Sequence, residues 1–254
     1  MSRAIAVIPA RYASLRFPGK ALAEVGGKPL IQHTWERAGE LTAVERVLVA
    51  TDDERIASAV RRFGGTVAMT SGDHPSGTDR VAQAVSGLAE DLVVNLQGDE
   101  PAFDVKAVDQ LIRLMGEDSA IQMGTLAHPI ADADEHGDPN AVKVVLDQAG
   151  YALLFSRAPI PFARRRGLVA PLRHIGIYVF RREFLDRFAQ LRPTPLEQTE
   201  ALEQLRALEH GVRIRVVLTP QSSIGVDTPA DLARLAAYLE GRARTGRGDD
   251  RELR

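Results

Sequence analysis

The sequence of 254 residues contains no cysteine. That absence excludes disulfides and thiolate metal sites and agrees with a reducing compartment. Nor is there a surplus of one charge: 32 Lys and Arg stand against 34 Asp and Glu, a formal net charge of −2. Such a balance makes no field that would recruit nucleic acid or an anionic membrane, so neither is expected as a partner. No apolar run has the length of a secretory leader or a membrane span, and a cytoplasmic location is expected. There is no internal repeat and no low-complexity linker. What remains is ordinary for a soluble globular chain, with 44% apolar and 26% charged residues, and enough length for one large domain or two small ones.

The first half alternates between buried strands and helical patterns. Strands are read at residues 4–8, 46–51, 66–69 and 92–96, and helices at 29–41, 53–63 and 79–89. Strands separated by helices imply right-handed crossovers and a mostly parallel sheet covered on both faces. The second half changes texture. Strands are expected at 141–147, 151–156, 174–180 and 213–218, with helices at 182–189 and 197–209. A basic loop, Ala163-Arg164-Arg165-Arg166-Gly167, lies among them. Thr228-Pro229-Ala230-Asp231 is a capping box that starts the last helix, and Gly241 onward is expected to fray. The fold class is therefore α/β: three layers, with helices on both faces of a mostly parallel mixed sheet. Residues 1–241 read as a single domain, with a sub-region inserted after about Gln122, and 242–254 as a flexible tail.

Four stretches of sequence point to chemistry. After the first strand comes a loop with Arg11, Arg16 and Lys20, shaped by Pro9, Pro18 and Gly19. Three cations at the C-terminal end of a strand suit a polyphosphate, with Lys20 as a point charge and Arg11 as a planar fork. The Gly-Lys-Ser/Thr ending of a Walker A loop is absent. Gln97-Gly98-Asp99-Glu100-Pro101 follows the strand at 92–96, which aims Asp99, a hard oxygen donor suited to Mg²⁺, into the ligand crevice. Gly98 permits an unusual backbone angle there. Asp227 precedes the last capping box and reads either as a helix cap or as a second carboxylate meeting Asp99. Ser76-Gly77-Thr78 offers N–H groups and hydroxyls at a helix start, although an ordinary turn and cap explains it as well. A polar set in the second half comprises Arg157, Arg164, His174, Tyr178, Glu203 and Gln204. Arg and His suit a carboxylate and the others suit hydroxyls, but each alone reads first as structural, and spacing does not show that they converge.

These residues fall in stretches that resemble a known family. They are Ile8-Pro9-Ala10-Arg11-Tyr12-Ala13-Ser14 with Pro18-Gly19-Lys20, then Ser76-Gly77-Thr78, and Gln97-Gly98-Asp99-Glu100-Pro101. Pro139-Asn140-Ala141-Val142-Lys143, Phe155-Ser156-Arg157 and His174-Ile175-Gly176-Ile177-Tyr178 follow. Pro195-Leu196-Glu197, Leu202-Glu203-Gln204-Leu205-Arg206 and Gly225-Val226-Asp227-Thr228-Pro229 complete the series. In order, and across nearly the whole chain, they resemble the 3-deoxy-manno-octulosonate cytidylyltransferases. Leu15 and Phe17 depart from the pattern in the phosphate loop. The resemblance implies a nucleotide-diphospho-sugar transferase-like fold. It also implies a reaction in which CTP and 3-deoxy-manno-octulosonate (Kdo) give CMP-Kdo and pyrophosphate for lipopolysaccharide synthesis. Mg²⁺ and a homodimer are implied, with sugar-acid and dimer elements at about 123–212. Carried over residue by residue, Lys20, Arg11 and Asp99 would serve catalysis, and Asp99 and Asp227 would hold the metal. Ala10, Arg11, Lys20, Ser76 and Gly77 would line the nucleotide pocket. Gln97, Arg157, Arg164, His174, Tyr178, Glu203 and Gln204 would face the sugar acid. Two rivals stand beside this reading: a sister transferase for sialic acid or a hexose 1-phosphate, and a nucleotide-sensing protein without catalysis.

Overall fold

The structure, a computed structural model, describes residues 2–13, 17–165 and 167–245, with side chains as far as residue 241. Ser14, Leu15, Arg16 and Arg166 of the two basic loops, and residues 246–254 of the expected tail, lie outside the described residues.

In chain order the elements are β1 (Ala4–Ala10), a 3₁₀ turn at Lys20–Leu22, β2 (Glu24–Val25), β3 (Lys28–Pro29), α1 (Leu30–Ala38), β4 (Arg46–Thr51) and α2 (Glu54–Arg62). β5 (Thr66–Met69), α3 (Gly77–Ala84), β6 (Leu92–Asn95), α4 (Val105–Glu117), β7 (Met123–Pro129) and α5 (Ala133–Gly137) follow. Then come β8 (Lys143–Leu146), β9 (Ala152–Ser156), β10 (Leu172–Arg181), α6 (Arg182–Phe188), α7 (Pro195–Glu200), α8 (Gln204–Glu209), β11 (Ile214–Leu218) and α9 (Pro229–Thr245).

One large sheet carries the strand order β11-β7-β10-β6-β1-β4-β5, with β8 and β9 branching from β10. β1 pairs in parallel with β4 and β6, β4 with β5, and β7 with β11. β10 runs antiparallel between β6 and β7, so it alone along that path points the other way. Alternate residues of β1 serve opposite faces, as pleating requires. Ala4, Ala6 and Ile8 pack with Ala38, Ile56, Val60, Leu111 and Met115 of α1, α2 and α4. Ile5 and Val7 pack with Val81, Phe184, Phe188 and Leu205 of α3, α6 and α8. These two apolar clusters make the three layers that the sequence pattern predicts. Among the described residues no helix is long and apolar enough to cross a membrane.

Three differences from the sequence reading have physical causes. β7 is a strand that the pattern does not predict: its Gly124, Ala127 and His128 give it little β-branched character, and its strand state comes from ladders on both sides. The segment 197–209 is not one helix. α7 and α8 are separate, because Ala201 takes a left-handed conformation at φ 50° and ψ 52°. α9 continues through Thr245, past Gly241.

Candidate active site

The C-terminal ends of β1 and β6 lie side by side, so the loops that leave them meet. In the first loop, Gly19 N–H donates to Tyr12 O at 3.0 Å, and Gly19 has φ 71° with the Tyr12 ring 3.2 Å from where a Cβ would stand. That conformation is open to glycine at little cost, and it turns Lys20 inward. In the second loop, Gly98 does not adopt a positive φ. Its constraint is space: a Cβ would lie 3.1 Å from Pro9 O and 3.3 Å from Ile31 Cδ1.

Asp104 caps α4 by accepting from the N–H groups of Lys106 and Ala107, which leaves Asp99 out of any cap. Thr228 and Asp231 likewise satisfy the start of α9: Thr228 N–H donates to Asp231 Oδ2 at 2.8 Å, and Asp231 N–H donates back to Thr228 Oγ1 at 3.3 Å. Asp227 is therefore not the cap. Val226 N–H donates to Asp99 O at 2.9 Å, which joins the two acidic segments. Their carboxylates converge on one cation. Lys20 Nζ donates to Asp99 Oδ2, and to Asp227 Oδ1 at 3.1 Å. Burial pulls the Lys20 pKa down, but the two carboxylates outweigh it and raise it above the ordinary lysine value. The ammonium is thus charged at neutral pH.

This trio lies in a cleft of about 540 Å³ lined also by Pro9, Ala10, Arg11, Ser76, Gly77, Arg80, Gln97 and Gly98. Arg11 is exposed at its rim. Ser76 caps α3, whose N-terminus opens onto the cleft and favours anions there. Arg80 is not singled out by the sequence. It is 4% exposed and held by Asp52 at 3.2 Å, and nothing in the spacing of 71–80 shows that it faces inward. Sequence reasoning also misses Glu100. Ser223 Oγ donates to it at 3.0 Å, while burial, with Asp99 beside it, pushes its pKa up to about 7.

The sequence pattern of the family described as Cytidylyltransferase matches residues 5–214. The chain is 51% identical to the 3-deoxy-manno-octulosonate cytidylyltransferase of Geobacter sulfurreducens, over 92% of this chain and 98% of that one. It is 52% identical to that of Syntrophotalea carbinolica, over 93% and 98%. The chain belongs to the cytidylyltransferase family, with the 3-deoxy-manno-octulosonate cytidylyltransferases. A solved CMP:2-keto-3-deoxy-manno-octonic acid synthetase, complexed with CTP, superposes with a TM-score of 0.91 at 44% identity, over 95% of this chain and all of that one. A 4-diphosphocytidyl-2C-methyl-D-erythritol synthase from Anaerococcus prevotii, at 15% identity and a TM-score of 0.63, shares the fold.

The second-half residues of this cytidylyltransferase divide. Gln97 lines the cleft and donates through Nε2 to Gly176 O at 3.3 Å, where a register shift in β10 between Ile175 and Tyr178 frees that carbonyl. Glu203 reaches from the start of α8 to the nucleotide side: Ser76 Oγ and Thr78 Oγ1 donate to its carboxylate at 2.8 and 2.7 Å. Burial raises its pKa against those hydrogen bonds. Tyr178 lies close by, and burial with the charges of Glu203 and Glu100 raises its pKa. Gln204 is 3% exposed, and its Nε2 has no hydrogen-bond partner among the described residues.

Tyr178, Glu203 and Gln204 do not themselves line the cleft, and the other three do not either. Arg164 is exposed on its loop and does not line the cleft. Arg157 does not line it either: its guanidinium donates to backbone carbonyls, Nε to Glu200 O at 2.6 Å, Nη1 to Pro139 O at 2.9 Å and Nη2 to Ala201 O at 3.3 Å. His174 packs between Phe155 and Tyr178 with Nε2 3.0 Å from Thr125 Oγ1. Burial and the nearby Arg173 lower its pKa to about 3, so it is neutral and offers no positive charge to a carboxylate.

The buried neutral histidine has a consequence for stability. The unfolded chain takes up this proton below about pH 6.5, the folded chain only near 3. Stability from His174 is complete above the unfolded value and is lost as pH falls towards the folded one. Between about pH 7 and pH 5 the expected loss is about 2 kcal/mol. Urea unfolding at both pH values should show His174→Phe lacking that portion. An equal pH dependence in parent and variant would overturn the assignment.

Proposed function

We propose that this cytidylyltransferase transfers the CMP group of CTP to Kdo, releasing pyrophosphate and supplying activated sugar for lipopolysaccharide. The observation that carries the transfer is the meeting of Lys20, Asp99 and Asp227 in one cleft beneath an anion-binding helix start. The names of the relatives support Kdo as acceptor, and the solved relative bound to CTP supports the nucleotide.

Two converging carboxylates, already gathered around a cation, fit a divalent ion. Among the described residues no group of three His, Cys, Asp or Glu side chains could hold a metal. Asp99 and Asp227 would therefore hold Mg²⁺ with the nucleotide's phosphates and water completing its shell. Bound there, Mg²⁺ supplies Lewis-acid stabilisation of phosphate charge. Lys20 and Arg11 add cationic donors for the same oxygens once the nucleotide is bound. Ser76, Gly77 and Ala10 bind the nucleotide. Gln97, Tyr178, Glu203 and Gln204 orient the sugar acid so that its anomeric oxygen meets the α-phosphorus in line, as the bridging oxygen to the β-phosphorus leaves with pyrophosphate. Residues 1–241 act as one nucleotidyltransferase domain, since the 123–212 region shares its sheet with β1 and β6. We place the homodimer surface in that region, where Leu153, Phe162, Leu168 and Val169 are exposed. We place the enzyme in the cytoplasm.

Pyrophosphate release from CTP tests the reading, with Kdo, its 8-amino analogue, sialic acid and a hexose 1-phosphate each offered as acceptor. Turnover is expected with Kdo and Mg²⁺ and is expected to stop when the ion is chelated. Turnover with sialic acid and none with Kdo would transfer the chain to the sister reaction. CTP binding without turnover of any acceptor would leave the nucleotide sensor.

A further inference from the structure

One stretch of the family pattern, Pro139 to Lys143, has no place in the cleft, and neither has Arg157. The structure joins them. Lys143 is 0% exposed, and its ammonium donates to Asp138 O and Arg157 O, each at 2.7 Å. Arg157 in turn holds Pro139 O on one side and Glu200 O and Ala201 O on the other. The Glu200 carboxylate completes the set by accepting from Ser156 Oγ at 2.6 Å and Arg157 N–H at 2.9 Å. All of this converges on the joint between α7 and α8.

That joint is the unusual piece of backbone. Ala201 is the non-glycine residue with positive φ among the described residues, and the left-handed region disfavours a residue with a Cβ. The helical alternative is close at hand, because α7 would simply continue. Continuation would rotate everything that follows, starting with Glu203 and Gln204. Glu203 is the residue that reaches across to Ser76 and Thr78, so the direction of its side chain depends on Ala201 staying left-handed. On the far side, Glu197 and Arg206 clamp α7 to α8, with Arg206 Nε donating at 2.8 Å. Arg157 holds the joint itself, and Lys143 holds Arg157.

We propose that Arg157 and Lys143 are positioning residues: they brace the left-handed joint at Ala201 and thereby aim Glu203 and Gln204 at the sugar acid. The inference rests on the sugar-acid reading of Glu203 and Gln204. It assigns Arg157 an indirect role in place of contact with a substrate carboxylate, and it explains why a lysine is fully buried in β8, away from any anion of the cleft.

The experiment compares Arg157→Met, Arg157→Lys and Lys143→Met, each with and without Ala201→Gly, in steady-state kinetics with CTP and Kdo. Arg157→Met is expected to raise KM for Kdo about tenfold while KM for CTP stays within about twofold. Glycine removes the left-handed penalty, so adding Ala201→Gly should recover about fivefold of that loss. Loss without recovery would mean that Arg157 touches the substrate directly, and unchanged kinetics would remove the brace altogether. Hydrogen exchange at the amides of Leu202, Leu205 and Arg206 provides a readout independent of the acceptor. Faster exchange is expected in Arg157→Met, or in Arg157→Lys and Lys143→Met should the methionine variant not fold. Unchanged exchange overturns the brace. If the parent enzyme does not turn over Kdo, the acceptor reading fails, and the exchange result still decides the brace.

Discussion

Asp99→Asn is expected to lower kcat by on the order of 10²–10³ while the fold stays intact. The change is nearly isosteric. The contact that joins the Asp99 loop to the Asp227 segment runs through the Asp99 backbone carbonyl, which the substitution leaves in place. The side-chain contribution to stability is small, because the Lys20–Asp99 pair is only partly buried, with side-chain exposures of 15% and 30%. A stability change of no more than about 1 kcal/mol follows for such a pair. The loss should fall on turnover, since the carboxylate matters most where charge builds on the transferring phosphate. CTP binding should weaken only modestly. Pyrophosphate release under saturating Mg²⁺, with CTP affinity and thermal unfolding measured alongside, checks each part. A kcat within about threefold of the parent would take Asp99 out of the reaction.

Lys20→Met should give a loss of the same order in kcat/KM for CTP, about 10²–10³, with a different signature in the absence of nucleotide. Methionine keeps the apolar stem and removes the ammonium that Asp99 and Asp227 share. The two carboxylates then lose the ammonium they share. In metal-free buffer the variant should be less stable than the parent by about 1–2 kcal/mol, a drop of a few degrees in Tm. Added Mg²⁺ should restore more in the variant than in the parent, because the ammonium no longer competes for the same oxygens. Scanning calorimetry with and without Mg²⁺ measures both effects. Equal protection of parent and variant by Mg²⁺ would show that the ion and the ammonium do not share those carboxylates.

The two substitutions also act on one unit, so their effects should not add. Once the shared cation is gone, Asp99 has lost one of the groups it works with, and the double variant should lie well above the product of the single losses.

The sequence was informative wherever the signal was local. The buried strand at the N-terminus, the cation-bearing loop after it and the acidic turn after β6 are each contained in a few residues. The caps are local too, and here the structure resolves what spacing left open. With Asp104 on α4 and the Thr228–Asp231 box on α9 satisfying the helix starts, Asp99 and Asp227 are both left for the cleft. Sequence reasoning was blind where long-range packing sets a residue's partners. His174 and Arg157 have the right chemistry for a carboxylate, but one is enclosed by aromatic rings and a threonine, and the other by three carbonyls. Neither environment has a signature within a window of sequence. β7 and the break at Ala201 were missed for the same reason: flanking ladders hold the first, and the Arg157 network holds the second, against weak or contrary local preference.

What the sequence by itself determined is the set of parts. Alternating apolar strands and amphipathic helices dictate a covered parallel sheet, because only that arrangement buries both faces of each central strand. The order of parts along the chain also sets which loops can leave the ligand end of the sheet. What only the tertiary structure decided is which of those loops meet. Lys20 lies 79 positions from Asp99 and 207 from Asp227. Their meeting depends on β6 lying beside β1, on β10 running backwards next to it, and on the chain returning through β11 to start α9 at the same end. No residue's own preferences encode that arrangement; it follows from the burial of two apolar layers at once, a property of the assembled sheet.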